Sequence, residues 1–194
     1  MRLPPIAPSN LTSEQRPLYE SMRTGITAKY ELFVTMREDG ALLGPWNAWL
    51  HQPELGTAFW GSTQAMTKFS RLPDAVRQIV ILAVGAHFGA VYEIYAHAAV
   101  AEARHHMSRQ RIATLAASGR PSDLTEEEAS AFDVAQSLLK GGVLPEPAYL
   151  QAVALFGQDG TNELIYLVGH YCFVSVTLNG FSVPVPDTDV IEMK

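Results

Sequence analysis

The chain has 194 residues, of which 47% are hydrophobic and 18% charged, and it contains a single cysteine. This length and apolar content suit one folded domain, which we expect to span residues 1–194. A net charge of −6 without any basic run argues against a nucleic-acid partner. One cysteine excludes an internal disulfide and a Cys-x-x-Cys redox pair.

Nothing in the apolar patterning indicates secretion or membrane insertion. The opening residues, MRLPPIAPSN, lack the apolar stretch of a signal peptide. The most apolar window, residues 79–95, is interrupted by glycine, histidine and glutamate. We therefore expect a cytoplasmic protein with no membrane partner.

The elements predicted in chain order are helical. Residues 1–11 are rich in proline and predict an extended arm, after which Thr12 and Gln15 form a capping-box pattern that opens a helix toward Thr24. Residues 183–194, which begin Val-Pro-Val-Pro, predict an extended tail. Between arm and tail, proline, glycine and capping signals predict helices at Trp46–His51, Glu54–Phe69, Pro73 to a break at Gly89, Val91–His105, Ser108 to a stop at Gly119, Thr125–Lys140, Pro147–Phe156 and Asn162–Phe181. The predicted fold class is an all-α multi-helix bundle.

Two of these helices are apolar on nearly every side. They cover residues 79–91 and 164–178, and such helices must be covered all round. The pattern predicts a homo-oligomer held together by apolar burial. The arm and the tail would then be free to cross a neighbouring subunit.

The densest polar cluster on an apolar background is the run 92–97, YEIYAH. Glu93 and His97 are four residues apart, so they share one face of a helix. A carboxylate beside an imidazole raises its basicity and fixes its tautomer, which makes a proton-transfer unit. The alternative is a buried histidine that is satisfied by the glutamate and takes part in no chemistry.

The other histidines and the cysteine give weaker signals. His105 lies two turns beyond His97, too far to complete a metal shell with Glu93, so we expect no metal. His105 and its neighbour His106 are expected to be exposed at a helix end. The core is the expected place for His87. The same holds for His170 and Cys172 on residue pattern alone, because both lie within the last apolar helix.

Four stretches carry a resemblance to a known family. They are residues 44–56 (GPWNAWLHQPELG), 71–84 (RLPDAVRQIVILAV), 92–97 (YEIYAH) and 178–184 (LNGFSVP). The first, third and fourth resemble the GPFxxLLHSPEL, YEWYAH and LLNAFEVP motifs of the carboxymuconolactone decarboxylase family, in the alkylhydroperoxidase-D-like superfamily, and the second resembles that family's intervening helix. The resemblance implies the all-α alkylhydroperoxidase-D-like fold and assembly into trimers or hexamers.

The thiol peroxidase branch of the superfamily has the pattern E-x11-C-x2-C-x3-H. Its four positions are occupied here by Gln78, Ala90, Glu93 and His97. Because both thiols are absent and Cys172 is far away in sequence, we expect no thiol peroxidase activity.

The decarboxylase branch lacks these thiols, and resemblance to it implies a lyase that needs no cofactor. The expected substrate is a small, acidic, carboxylated lactone or a related ring-cleavage product from the breakdown of aromatic compounds. His97 would transfer the proton and Glu93 would orient it. Tyrosine would donate a hydrogen bond to the substrate carbonyl, and arginine would hold the carboxylate. The residues assigned to substrate binding are Tyr92, Tyr95, Arg77, Arg104 and His170.

Two departures from the family pattern leave the reaction open. Gln78 replaces the usual glutamate, and residues 170–172, HYC, replace an expected Tyr-Tyr-Asn. Both indicate a substrate other than carboxymuconolactone. The alternatives are an isomerase or hydrolase acting on a related unsaturated acid or ester, and a non-catalytic oligomeric binding protein that kept the fold. An accessible pocket at Glu93 and His97 favours an enzyme, whereas a filled core favours the binding protein.

Overall fold

The computed structural model describes residues 1–27 and 31–186 of the chain, and within these ranges it forms eight α-helices. The predicted all-α class is confirmed, since β structure in the same ranges is one isolated bridge between Met36 and Leu42. None of these helices combines the length and apolar character needed to cross a membrane. The helices are α1 (Gln15–Thr27), α2 (Gly44–Leu50), α3 (Pro53–Lys68), α4 (Asp74–Phe88), α5 (Val91–His105), α6 (Arg109–Ala116), α7 (Glu126–Leu139) and α8 (Glu146–Gly180).

Local capping fixes where two of these helices begin, as the sequence predicts. The backbone N–H of Thr12 donates to the Gln15 side chain at 3.0 Å, and the Gln15 N–H donates back to the Thr12 hydroxyl at 3.3 Å. Thr125 and Glu128 form the same reciprocal pair at the start of α7. Each pair satisfies two backbone N–H groups that the first helical turn leaves without partners.

The last two predicted helices differ from the structure. A loop was expected between Phe156 and Asn162, but α8 continues through this region with a break at one residue, Gly157. Its φ of 68° and ψ of 175° lie where only glycine is unstrained. The chain therefore turns at Gly157 and resumes the helix at once, so no separate loop is needed.

Helix α4 is the centre of the fold. It packs against α5, α6, α7 and α8, and every residue from Val76 to Gly85 is buried. The chain itself thus covers this all-round apolar helix without a partner. Helix α8 is different, because it leaves the large side chains of Tyr166 and Val176 exposed.

The N-terminal arm, which the sequence would leave free to cross a neighbouring subunit, lies along its own chain. The amide of Asn47 in α2 accepts from the Ile6 N–H at 3.0 Å and donates to the Pro4 carbonyl at 3.2 Å. Arg2 binds the end of α8 through its backbone N–H and its guanidinium. The arm is extended apart from a 3₁₀ turn at Pro8–Asn10. Of the predicted tail, residues 187–194 lie outside the described ranges.

A buried ion pair joins the start of α4 to α8. Arg77 Nη1 lies 2.6 Å from Glu163 Oε1 and donates to the Ser70 hydroxyl at 2.8 Å. Burial alone would raise the pKa of Glu163. The Ser70 hydroxyl, the backbone N–H groups of Arg71 and Leu72 and the Arg77 charge outweigh that effect and lower the pKa.

Replacement of this glutamate, Glu163→Gln, should destabilise the fold, because it leaves the Arg77 guanidinium buried without its counter-charge. We expect the free energy of unfolding at pH 7 to fall by roughly 3 kcal/mol. The ionised form is favoured in the folded state, so its stabilisation is present above the ordinary pKa of 4.5 and is lost as the pH falls below that value. The difference from the parent protein in urea denaturation should shrink between about pH 5 and pH 3.

The matched control is Asp159→Asn, which removes the partner of Arg71 in an exposed ion pair beside the same helix. Exposed pairs contribute little, so this variant should lose no more than about 1 kcal/mol. Equal losses in the two variants would contradict the assignment of Arg77 and Glu163 as a buried, mutually dependent pair.

Candidate functional site

A small cavity lies where α2, α3, α5 and α8 meet under the segment that follows α1. Its volume is about 40 Å³. Glu93 and His97 both line it, so the predicted pair faces a cavity and not a filled core. The other lining residues are Phe33, Pro45, Trp46, Trp49, Thr63, Tyr92, Ala96, His170, Tyr171 and Val174.

The imidazole of His97 is held by partners from three helices. Its Nδ1 lies 2.8 Å from the Gln78 Oε1 on α4, and its Nε2 lies 3.2 Å from the Glu93 Oε1 one turn earlier on α5. The ring of Tyr171 on α8 meets it edge to face, at a centroid distance of 5.2 Å. With an amide oxygen at Nδ1, that nitrogen carries the proton, and Nε2 is left to exchange protons at the cavity.

Glu93 is a buried carboxylate whose hydrogen bonding is incomplete. Its side chain is 5% exposed, and no hydrogen bond of good geometry reaches its Oε1 from any described residue. The indole N–H of Trp49, a second wall residue, is likewise buried and unpaired among the described residues. A buried polar atom without a partner is costly, so the Trp49 N–H offers a donor to a bound molecule, whereas Glu93 Oε1 already faces His97 Nε2 at 3.2 Å.

The hydroxyls of Tyr92 and Tyr95 do not point to a substrate carbonyl as expected. Both bind the backbone of Val34: Tyr92 donates to its carbonyl at 3.0 Å, and Tyr95 accepts from its N–H at 3.1 Å. Burial, with smaller effects of Tyr95 and Glu93, raises the pKa of Tyr92 and keeps its hydroxyl protonated. The two tyrosines hold the segment that carries Phe33 onto the cavity.

A glycine makes room for one of these tyrosines. Gly44 opens α2 with a φ of 61°, and a Cβ atom there would lie 2.5 Å from the Tyr92 ring. Only glycine allows both this backbone conformation and this close approach. The Phe33 ring stacks on Trp46 at a centroid distance of 6.4 Å, which closes the cavity on this side.

Neither predicted arginine reaches the cavity. The guanidinium of Arg77 is engaged by Glu163 and Ser70, and Arg104 is exposed in the last turn of α5, two turns beyond His97. Among the described residues, the cavity lining contains no lysine or arginine. The expectation that one of these arginines holds a substrate carboxylate therefore disagrees with their positions.

The remaining predicted polar residues take different positions. His170 lies in the cavity wall, and burial lowers its pKa so that its ring is neutral at pH 7. His87 is exposed at the end of α4, so its predicted core position is wrong. Cys172 is partly buried, and burial raises the pKa of its thiol, which disfavours the nucleophilic thiolate. Within residues 1–27 and 31–186, no group of three or more His, Cys, Asp or Glu residues is arranged to hold a metal ion.

Sequence reasoning missed most of the cavity wall. The pattern of Trp46 and Trp49 indicates only packing, and Phe33 lies in a segment for which no element is predicted. Gln78 was noted as a departure from a family pattern, yet its direct hydrogen bond to His97 was not foreseen. A helical-wheel alignment of α4 and α5 would have been the available signal, because polar Gln78 occurs in an otherwise apolar run.

One segment of the chain matches a known protein family. It runs from α3 into α7 and includes Glu93 and His97. Residues 53–137 match the sequence profile of the Carboxymuconolactone decarboxylase family. Over these residues, which are less than half of the chain, the chain is similar to this family. No curated protein sequence matches the chain.

Solved structures show that the chain has the alkylhydroperoxidase AhpD-like fold. An uncharacterized peroxidase-related protein from Ralstonia eutropha JMP134, titled an alkylhydroperoxidase AhpD core, superposes with a TM-score of 0.76 at 15% identity, covering 96% of this chain and 92% of that chain. An uncharacterized peroxidase-related protein from Silicibacter sp. TM1040 superposes with a TM-score of 0.73 at 14% identity. The match covers 95% of this chain and 90% of that chain. The debrominase Bmp8, in complex with 2,3,4-tribromopyrrole, superposes with a TM-score of 0.70 at 15% identity. The match covers 96% of this chain and 92% of that chain.

The hydrogen bonds to Val34 predict a local effect of Tyr95→Phe. Its hydroxyl accepts the Val34 N–H, so the variant should raise the hydrogen-exchange rate of that amide by up to about tenfold, the value of one hydrogen bond. Tyr92→Phe is the control, because Tyr92 binds the carbonyl of Val34 and not its N–H. Amide exchange followed by NMR checks this, and an unchanged Val34 rate in Tyr95→Phe would refute the role given to that hydroxyl.

Proposed function

We propose that this chain is an enzyme that transfers a proton on a small ring compound without a cofactor, as a lyase or an isomerase. The observation that carries the proposal is the pair of His97 and Glu93 in the cavity wall, with Nε2 turned to the carboxylate. Gln78 occupies Nδ1, so Nε2 serves as the working nitrogen. Proton transfer by a positioned imidazole suits chemistry near neutral pH.

For a lyase, the finer proposal is decarboxylation of a carboxylated lactone or a related ring-cleavage product. The bond between the ring and the carboxylate breaks, CO2 leaves, and the electron pair enters the ring as a dienolate. The Nε2–H of His97 then delivers a proton to the carbon, and Glu93 stabilises the imidazolium before that transfer. The product is neutral at that carbon, and His97 regains its proton from solvent.

One observation supports the second candidate, isomerisation of an unsaturated ring compound. No lysine or arginine is found among the described residues that line the cavity, and a carboxylate substrate would be expected to meet one. In isomerisation of an unsaturated ester, His97 removes a proton from one carbon and returns it to another, so no carboxylate has to be held. Hydrolysis of a related ester, or a binding protein without catalysis, gains no comparable support.

The wall of the cavity supports a ring compound as the ligand. Phe33, Trp46 and Tyr171 supply apolar rings, and the unpaired Trp49 N–H supplies one donor. A protein of the same fold, the debrominase, is known in a complex with a tribromopyrrole. That ligand is a small substituted ring, which agrees with the class proposed here.

The variant His97→Gln tests the proposal directly, because glutamine keeps a hydrogen-bonding group of similar size but cannot carry a proton. We expect activity to fall by roughly 10²–10⁴, the usual contribution of a general acid or base, with the melting temperature nearly unchanged. Glu93→Gln should cost less. Turnover of a panel of small lactones and unsaturated ring acids, together with melting temperature, provides the measurement.

His87→Gln is the matched control, since His87 is exposed on α4 and outside the cavity wall. It should leave both activity and melting temperature unchanged. A folded His97→Gln protein with normal rates would end the case for this site. A loss of activity that only follows the folded fraction would favour the binding-protein alternative.

We also propose that the chain forms a homo-oligomer, a trimer or a hexamer, through apolar contacts. Large apolar side chains at Leu55, Phe69 and Val91 are exposed, and their burial would be insensitive to ionic screening. The mass measured by light scattering should therefore exceed that of the 21.2 kDa chain and stay constant between low and high salt. A monodisperse monomer would refute this proposal.

A further inference from the structure

A second, larger concavity opens between α3 and α8. This groove has a volume of about 550 Å³ and a mostly apolar lining. Its lining residues are Phe59, Ser62, Met66, Ile165, Tyr166, Gly169, His170 and Phe173. Tyr166 is 66% exposed at its rim, so the groove is open to solvent.

His170 is the boundary between the groove and the cavity, because it lines both. Its Nδ1 lies 3.3 Å from the hydroxyl of Ser62, a groove residue, and its Nε2 lies 3.4 Å from the hydroxyl of Thr63, a cavity residue. Thr63 already donates to the Phe59 carbonyl at 3.1 Å, so it accepts from the Nε2–H. Nδ1 in turn accepts from Ser62.

These two hydrogen bonds hold the His170 ring only loosely. Both distances lie beyond the usual range for hydrogen bonds in proteins, and Ser62 is exposed. The ring meets Tyr171 edge to face at a centroid distance of 5.3 Å, and no ion pair fixes it among the described residues. Of the described residues, His170 is the one that lines both the cavity and the groove, so a movement of this side chain is what would join the two spaces.

The volumes show why a ligand would use both spaces. The cavity, at about 40 Å³, has room for roughly three water molecules. A small ring needs more room than that, so a ring bound beside His97 must displace a wall side chain, and any substituent must extend elsewhere. The groove beyond His170 is the adjoining space with an apolar lining, and its volume is more than ten times larger.

We propose that the groove is the second half of the substrate site, and that the substrate is a small polar ring carrying an apolar chain. The ring binds in the cavity beside His97, and the chain passes His170 and lies along the groove. The inference rests on the proposed function only in taking the cavity as the place of reaction. The groove thus selects substrates by the length of their apolar substituent.

The experiment measures binding of phenol, 4-ethylphenol and 4-butylphenol to the whole protein. Trp46 and Trp49 line the cavity, so their fluorescence reports occupancy. If the chain enters the groove, affinity should rise about threefold to fourfold for each methylene group buried. The blocking variant is Gly169→Phe, because a Cβ atom at this position in α8 meets nothing within 4 Å and the new ring would occupy the groove.

Gly61→Phe is the matched control. Gly61 is an exposed glycine of α3 with the same open space at its Cβ position, but it does not line the groove. We expect Gly169→Phe to bind phenol as the parent does and to lose the gain from the alkyl chain, and Gly61→Phe to keep that gain. His170→Ala should speed association of 4-butylphenol, because the boundary side chain is removed.

Three results would overturn the inference. They are an absence of any gain with chain length in the parent protein, a gain that persists in Gly169→Phe, and a mass that falls in Gly169→Phe but not in Gly61→Phe. The last result, from sedimentation, would show that a second copy of the chain covers the groove. None of them bears on His97, whose role is judged by turnover, so the two proposals fail separately.

Discussion

The hydrogen bond between Gln78 and His97 joins the centre of the fold to its candidate chemistry. Helix α4 is buried on all sides and cannot shift without disturbing four other helices. Gln78 projects from this fixed helix onto Nδ1 of His97. The orientation of the imidazole is thereby set by a fully packed helix, and Nε2 is directed to Glu93. The cavity is built around this arrangement by aromatic residues from α2 and α8.

Among the described residues, no lysine or arginine side chain lines the cavity. Arg77 is next to Gln78 in sequence, yet its guanidinium is turned to Glu163 and Ser70, which do not line the cavity. Consecutive residues of a helix point about 100° apart, which separates the two roles. One helix therefore supplies both the buried ion pair that ties it to α8 and the neutral amide that orients His97. The cavity is therefore lined, within the described part of the chain, without a lysine or an arginine.

The all-α fold and the Glu93–His97 pair could be predicted from the sequence, because both depend on residues that are close together along the chain. Capping pairs such as Thr125 with Glu128 are fixed by three-residue spacing, and Glu93 with His97 is fixed by four-residue spacing, so both are visible along the chain. The partners of Tyr92 and Arg77 depend on segments far away in sequence, so residue type alone did not reveal them. His87 was misplaced because an apolar run predicts burial on average, whereas its helix ends there and leaves the ring exposed. The single-residue break at Gly157 was also beyond reach, because a glycine in sequence does not show whether a helix resumes after it.

The most direct test of the account is the tautomer of His97, which nitrogen-15 NMR of the imidazole reports. At a pH where the ring is neutral, the account predicts a proton on Nδ1, bound to the Gln78 oxygen, and none on Nε2. A neutral ring with its proton on Nε2 would mean that the Gln78 amide donates to Nδ1. Nε2 would then be unable to accept a proton at the cavity, which would contradict both the orientation assigned to Gln78 and the step of the isomerisation in which His97 acts as a base.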